Sequence, residues 1–329
     1  MNIYKKWFLK TILSIILFLI FYIFLSLLLG KLLIGKNYFE TLDSATNHKW
    51  YSTKIISAKN IKTSKIVFVS GSNTLFGIKT IDIEKSIKKP IINFGVHAGL
   101  KKHIFYSAKK ILKPNDIVIL SLEYPFYINE KYSSTFFEQI INYDKQFYDT
   151  LPIKEKYLVC TYLQKLILKK YTKIGPRTIK FVNDNNLKEN TYYNFKINKN
   201  GDIETGNYYS KIKNTQTIPK TEIIINKQEL YKQYAIIDFI SWCKKNNIKV
   251  YAIAPNIYHT QKLSSIENKS FKEVQDFYKH YNVKFLGTLQ DGFYSIEYML
   301  DTNYHLNNFG RIKRTKYLIS VLKTELNIK

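Results

Sequence analysis

"SKIVFVSGSNTLFGI", residues 64–78, carries the reading of this chain. Its first half, "KIVFV" (65–69), is a short run of β-branched and aromatic residues, the composition of a strand buried on both faces. The run breaks into Ser70, Gly71, Ser72 and Asn73, residue types that end strands and make turns. Such a strand end has two readings: Ser72 is a nucleophile held at the rim of a sheet, or it is polar filling in a turn.

Outward from this stretch, similar runs recur at "PIINFGV" (90–96), "DIVILSL" (116–122), "KVYAIAP" (249–255) and "VKFLG" (283–287). Helical spacing occupies 77–89, 99–112, 227–246 and 307–325, most plainly around Ile236, Ile237, Phe239, Ile240 and Trp242. Strand and helix in alternation predict an α/β domain with a mostly parallel sheet covered by helices. Residues 37–60 read as a polar linker. Residues 126–226 break the rhythm with Tyr, Asn and Lys, and read as an insertion over the edge or top of the sheet, either a cap or a peripheral decoration. Within it, "NKNGD" predicts a hairpin turn.

The N-terminus reads differently. From Thr11 to Gly30, "TILSIILFLIFYIFLSLLLG" carries no charge, and a helix of about 20 residues spans the roughly 30 Å hydrocarbon core of a bilayer. A cleaved signal peptide has a shorter apolar core and small residues at its processing site; here Lys31, Leu32, Leu33 and Ile34 follow. The expectation is one N-terminal transmembrane helix and an organisation of 1–36 anchor and 37–329 extracytoplasmic domain. Lys5, Lys6 and Lys10 precede the span and Lys31 and Lys36 follow it, which by the positive-inside rule predicts a cytoplasmic N-terminus. In a bacterium the chain would be single-pass in the cytoplasmic (inner) membrane, its domain facing the periplasm or cell exterior.

With 329 residues, 45% of them hydrophobic, most of the chain can fold. The net charge of +26 comes from lysines spread throughout rather than gathered in one arm. That distribution argues against a nucleic-acid partner and suits the lipid bilayer or an acidic glycan. Cys160 and Cys243 form neither a metal set nor a disulfide framework, and either pair or remain buried thiols.

Ligands of open parallel sheets sit beyond the carboxyl ends of the strands. There the first strand runs into Ser70–Asn73, the second into Asn93, Gly95, His97 and Gly99, the third into Glu123-Tyr124-Pro125; "DTNYHLNNFGRIKRT" (301–315) precedes the last helix. A serine nucleophile needs a base within hydrogen-bond reach, and the base needs a group that fixes its tautomer. Ser72, His305 and Asp301 are the residues that can fill those roles. The Ser72 amide and that of a glycine in the second loop could meet an oxyanion. Competing readings are structural: Asp301 as an acid complementing the last helix's dipole with Asn307 or Asn308 as cap, His97 as a loop residue, His103 as a surface residue, and His259 as a peripheral pocket candidate at a fourth strand end. The aromatics of "EYPFY" are core, or a platform for a sugar.

These motifs resemble the SGNH/GDSL hydrolase superfamily, particularly its membrane-anchored bacterial members associated with modifying surface polysaccharides. The resemblance covers 64–124 and 248–325. "SGSNTLFG" resembles the first block and implies Ser72 as nucleophile. "NFGVHAG" resembles the second, whose glycine, Gly95 or Gly99, supplies an oxyanion amide, and "DTNYHLN" the last, implying His305 as base. The implied architecture is three-layer α/β/α with a flavodoxin-like sheet. Two departures stand out. The family places aspartate three residues before histidine, where Thr302 stands, while Asp301 lies four before. Its third block offers an asparagine, where "SLEYPFY" offers Glu123 and Tyr124. A carboxylate donates only when protonated, so Glu123 is expected either to bind a cationic or hydroxyl-rich substrate or to cap a loop. Asn73 and Tyr124 complete the expected oxyanion or substrate contacts.

The implied activity is that of a serine esterase or O-acyltransferase acting on envelope polysaccharide or another acyl ester, needing neither metal nor organic cofactor. A transferase would also call for a membrane acyl-donor protein. The competing expectation is a non-catalytic envelope assembly or glycan-binding protein on the same fold.

Overall fold

The computed structural model describes residues 3–128, 132–174, 182, 195–204, 218, 222–259 and 263–327. It divides into two compact units: Met1–Ala45 with Ser134–Asn186, and Thr46–Ser133 with Leu187–Lys329.

Among the described residues the second unit contains nine short strands: β1 (Ile66–Val69), β2 (Ile91–Asn93), β3 (Ile117–Leu120), β4 (Lys196–Ile197), β5 (Ile203–Glu204), β6 (Lys249–Ile253), β7 (Ile257–Tyr258), β8 (Lys284–Leu286) and β9 (Phe293–Tyr294). Five of them form one sheet in the order β2-β1-β3-β6-β8, every pair parallel. All five runs expected from the sequence are therefore strands of one sheet. Side chains alternate across it, as the two-residue period of a strand requires. Val67, Val69, Val118 and Leu120 enter one core with Phe105, Phe239 and Phe277 from helices Lys102–Lys109, Tyr234–Lys245 and Ser265–His280. Ile66, Phe68, Ile117 and Ile119 enter the other with Ile83 and Ile87 from Thr80–Ile87 and Leu318 and Leu322 from Asn308–Glu325. Helices thus cover both faces, as a three-layer α/β/α arrangement requires.

Residues 37–60 depart from the linker reading. Leu42–Asn60 is a helix whose Trp50, Tyr51 and Ala58 are buried in the first core. Its polar average hid an apolar face, because one member of that face, Lys54, is a buried lysine. The expected hairpin forms: β4 and β5 pair antiparallel around Gly201, whose φ of +85° lies where glycine is favoured. Asn93 donates its backbone N–H to Asn200 O, and Asn200 Nδ2 donates to Ile91 O, so the hairpin turn docks on the edge strand β2. Within the residues read as an insertion, the first unit has the helices Ser134–Tyr143, Lys145–Thr150 and Ile153–Thr172. Residues 175–181, 183–194, 205–217 and 219–221 of that expectation lie outside the described residues.

In the first unit, Ile3–Leu33 is one helix long and apolar enough to cross a membrane. Its first two-thirds is exposed, and Ser26 and Gly30 are buried. Cys160 and Cys243 are both buried free thiols.

Candidate functional site at the carboxyl edge of the sheet

β1 and β3 are pinned at their entry ends by a fully buried ion pair: Lys65 Nζ lies 2.6 Å from Asp116 Oδ2, while Asp116 Oδ1 accepts the Lys65 amide at 2.9 Å. At the exit of β1 the chain turns into the helix Ser72–Gly77, whose first residue, Ser72, is half-buried. No side chain of its own caps this short helix. Glu123 from the β3 exit does so instead, its carboxylate accepting Gly71 N–H at 3.1 Å and Asn73 N–H at 3.0 Å. A carboxylate at the first turn satisfies orphan donors and complements the helix dipole. Burial pushes the Glu123 carboxyl above its ordinary range; the two amides, and the charge of His305, pull the other way. Of the two expectations for Glu123, this geometry fulfils the cap.

His305 comes from the loop before the last helix. Its Nδ1 lies 2.8 Å from Asp301 Oδ1, so the four-residue spacing still brings carboxylate and imidazole together. The extra residue is absorbed by a turn in which Thr302 Oγ1 accepts the Tyr304 N–H at 3.2 Å. The imidazole then packs on Phe76 with ring centroids 4.3 Å apart. Phe76 stands one turn beyond Ser72 on the same helix, and residues four apart share a helix face. His305 and Asp301 are thereby assembled on the helix that Ser72 opens, with Glu123 beneath its first turn. Asp301 is partly exposed, its side chain at 29%, whereas His305 is buried, its side chain at 11%.

The two glycine amides expected at an oxyanion are otherwise engaged. Gly95 N–H donates to Asn93 Oδ1 and Gly99 N–H to His97 Nδ1, each at 3.0 Å. Gly95 is required sterically: a Cβ there would stand 2.6 Å from Gly71 O and 2.9 Å from Leu75 N, so its absence lets the second loop press against the first. Asn73 is completely buried; its Nδ2 donates to Ser121 O and Oγ, and its Oδ1 accepts from Ser70 Oγ. It ties the first loop to the third strand rather than facing a ligand. Tyr124 is buried against Phe271, its hydroxyl without a hydrogen-bond partner among the described residues, and burial raises its pKa. Phe126 and Tyr127 are buried too, so "EYPFY" is core.

Several positioning residues were not anticipated. Lys54 Nζ donates to three carbonyls, Asn93 O, Gly95 O and Gly201 O, at 2.9, 2.6 and 2.7 Å. Asp202 of the hairpin accepts from Thr80 N, Thr80 Oγ1 and Asn93 Nδ2. Asn256 Nδ2 donates to Tyr304 O at 2.6 Å, next to the imidazole. Arg311 donates to Ile78 O and Arg314 to Ala254 O, locking the last helix to the end of the helix Ser72–Gly77 and to the exit of β6. The polar "NKNGD" turn was the only visible signal for Asp202; a lysine between Tyr51 and Ala58 gave no sign that its ammonium would be buried.

The other histidines fall elsewhere. His103, expected at the surface, is buried beside Tyr51 because its helix turns that face inward. His259 is fully buried, its Nε2 3.1 Å from Glu267 Oε1 and its ring stacked on Phe293. Its place is structural, since Glu267 also completes the capping box with Ser264. Among the described residues no cluster of three or more His, Cys, Asp or Glu could hold a metal ion. No family model matches the chain, and no curated protein sequence matches it.

Proposed function

We propose that this chain is a membrane-anchored serine esterase or O-acyltransferase of SGNH type, acting on acyl esters of envelope polysaccharide. The observation that carries the reading is the Asp301–His305 pair seated on Phe76, on the helix that begins with Ser72. Asp301 orients the ring through Nδ1, and in this reading the proton of Ser72 passes to Nε2. In the reaction Ser72 Oγ bonds to the ester carbonyl carbon as its proton passes to His305. The C–O bond then breaks, and His305 returns the proton to the departing alcohol. Water, or a glycan hydroxyl in the transferase case, resolves the acyl-enzyme by the same relay. The anchor holds this chemistry at the membrane, and the lysine distribution around the span favours the sheet domain outside the cytoplasm.

A second reading has its own support. The amides of Gly95, Gly99 and Asn73 are all committed within the protein, which suits a binding cleft on a hydrolase-like fold. Full-length protein in detergent, treated with a fluorophosphonate probe and assayed on short-chain acyl esters, separates the two. Labelling and turnover that vanish together in Ser72→Ala support the enzyme. Labelling retained in Ser72→Ala removes Ser72 as nucleophile, and a folded wild type inert to both probe and ester leaves the binding role.

A further inference from the structure

The helix Ile153–Thr172 does not stand clear of the membrane span; it packs on it. Tyr22 Oη donates to Gln164 Oε1 at 2.7 Å, and Gln164 Nε2 donates to Ser26 Oγ at 2.8 Å. One turn further on, Gly30 faces Cys160 Sγ so closely that a Cβ there would collide with it. Ser26 and Gly30 form the small-xxx-small spacing that lets helix backbones approach in membranes, and the Gln164 bridge is the kind of polar contact that joins helices there. All three contact positions lie inside the uncharged run Thr11–Gly30. At 1.5 Å per residue, Tyr22 lies about 12 Å before the end of that run. A helix that touches the span over this interval meets it between the membrane boundary and about 12 Å inside it.

Its outward face suits that depth. Leu158, Lys165, Leu168 and Thr172 fall within one arc of the helix and are exposed. Val159, Cys160, Leu163 and Leu166 fill the opposite, buried side. The helix carries five lysines against one glutamate, and Lys173, Tyr171 and Ile174 are exposed at its end. Leucines interleaved with lysines on one face let apolar carbons enter the acyl boundary while the ammonium groups reach the phosphates.

We propose that Ile153–Thr172 lies in the headgroup layer of the bilayer that Ile3–Leu33 crosses, with Lys165, Lys169 and Lys173 holding anionic phospholipid headgroups. The insertion is then a membrane-seated collar on the anchor. The assignment stands whether or not Ser72 is a nucleophile.

Its test is a depth measurement on the full chain. Leu168→Cys and, as a reference within the span, Leu13→Cys are labelled with an environment-sensitive fluorophore; the native thiols are buried. The proteins are reconstituted in vesicles of phosphatidylcholine alone or with phosphatidylglycerol, each doped with nitroxide lipid. The expected result is quenching at residue 168 within about twofold of that at residue 13. Enrichment of phosphatidylglycerol around the protein should fall roughly fivefold for each of the three lysines changed to glutamine. A label at 168 that stays aqueous and unquenched overturns the proposal, as does energy transfer between copies of the chain without lipid quenching. Quenching with no preference for phosphatidylglycerol overturns the role given to the lysines.

Discussion

The sheet unit contains two histidine–carboxylate pairs of nearly equal length and opposite situation. His305 and Asp301 are 2.8 Å apart at the carboxyl edge, partly open to solvent and resting on the helix of Ser72. His259 and Glu267 are 3.1 Å apart and almost wholly buried, the ring stacked on Phe293 and the carboxylate tied into a helix cap. The hydrogen bond therefore does not distinguish a chemical group from a structural one. Exposure differs: the Asp301 side chain is 29% exposed and that of Glu267 1%.

Exchanging the consequences of losing each pair is the strongest way to break this distinction. In the proposed enzyme, His305→Ala should lower kcat/KM for an acyl ester by about 10³- to 10⁴-fold, because the proton relay acts as a unit with the nucleophile. Its urea midpoint should fall less than that of His259→Ala, since Asp301, unlike Glu267, has access to solvent when the imidazole is lost. Both quantities measured on one preparation are decisive, and an unfolded His305→Ala would make the pair structural. His259→Ala should do the reverse. Removing a fully buried imidazole with its hydrogen bond to Glu267 and its stacking on Phe293 costs about 3 kcal/mol, visible as a lower midpoint, while turnover per folded molecule stays at the wild-type value. Loss of turnover at unchanged stability would place His259 in the chemistry.

Asp301→Asn sharpens the comparison within the open pair. An amide can still bond Nδ1 but can hold the wrong tautomer and cannot offset the imidazolium charge. The expected loss is about a hundredfold in kcat, smaller than for the histidine because solvent partly screens this carboxylate. Activity equal to wild type would assign Asp301 to the dipole of the last helix instead.

How far the sequence foretold this arrangement differs by layer. The five strands were legible because doubly covered strands must be apolar throughout, and the last helix because Leu318 and Leu322 keep its spacing. The meeting of Asp301 with His305 was a residue-level expectation, and the Thr302 turn shows why one extra residue does not prevent it. Illegible were the destinations of backbone amides. Gly95 reads alike whether its N–H faces a ligand or Asn93 Oδ1, and its close approach to Gly71 arises only from tertiary contact. Lys54 was hidden for the same reason: nothing in a helix's own spacing announces that three carbonyls from two distant loops will converge on one ammonium.

Lys54 extends the contrast from histidines to cations. Lys65 and Lys54 are both fully buried, but Lys65 has a carboxylate in direct contact, whereas Lys54 meets carbonyl dipoles. Burial draws the Lys54 pKa from 10.5 down to about 7, with the charge of Asp202 opposing the shift. The unfolded chain then binds the proton more tightly than the folded one between these two values. Stability from this group must rise with pH across that window, by about 1.4 kcal/mol per pH unit at most. Lys54→Met removes the titration and also leaves the Asn93, Gly95 and Gly201 carbonyls without their donor, so the variant should be less stable at every pH. The discriminating quantity is the slope. Urea midpoints taken at intervals from pH 7 to 9 should climb more steeply for wild type than for Lys54→Met. Parallel curves would mean that Lys54 keeps its proton in the fold, the three carbonyls holding its ammonium as firmly as Asp116 holds that of Lys65.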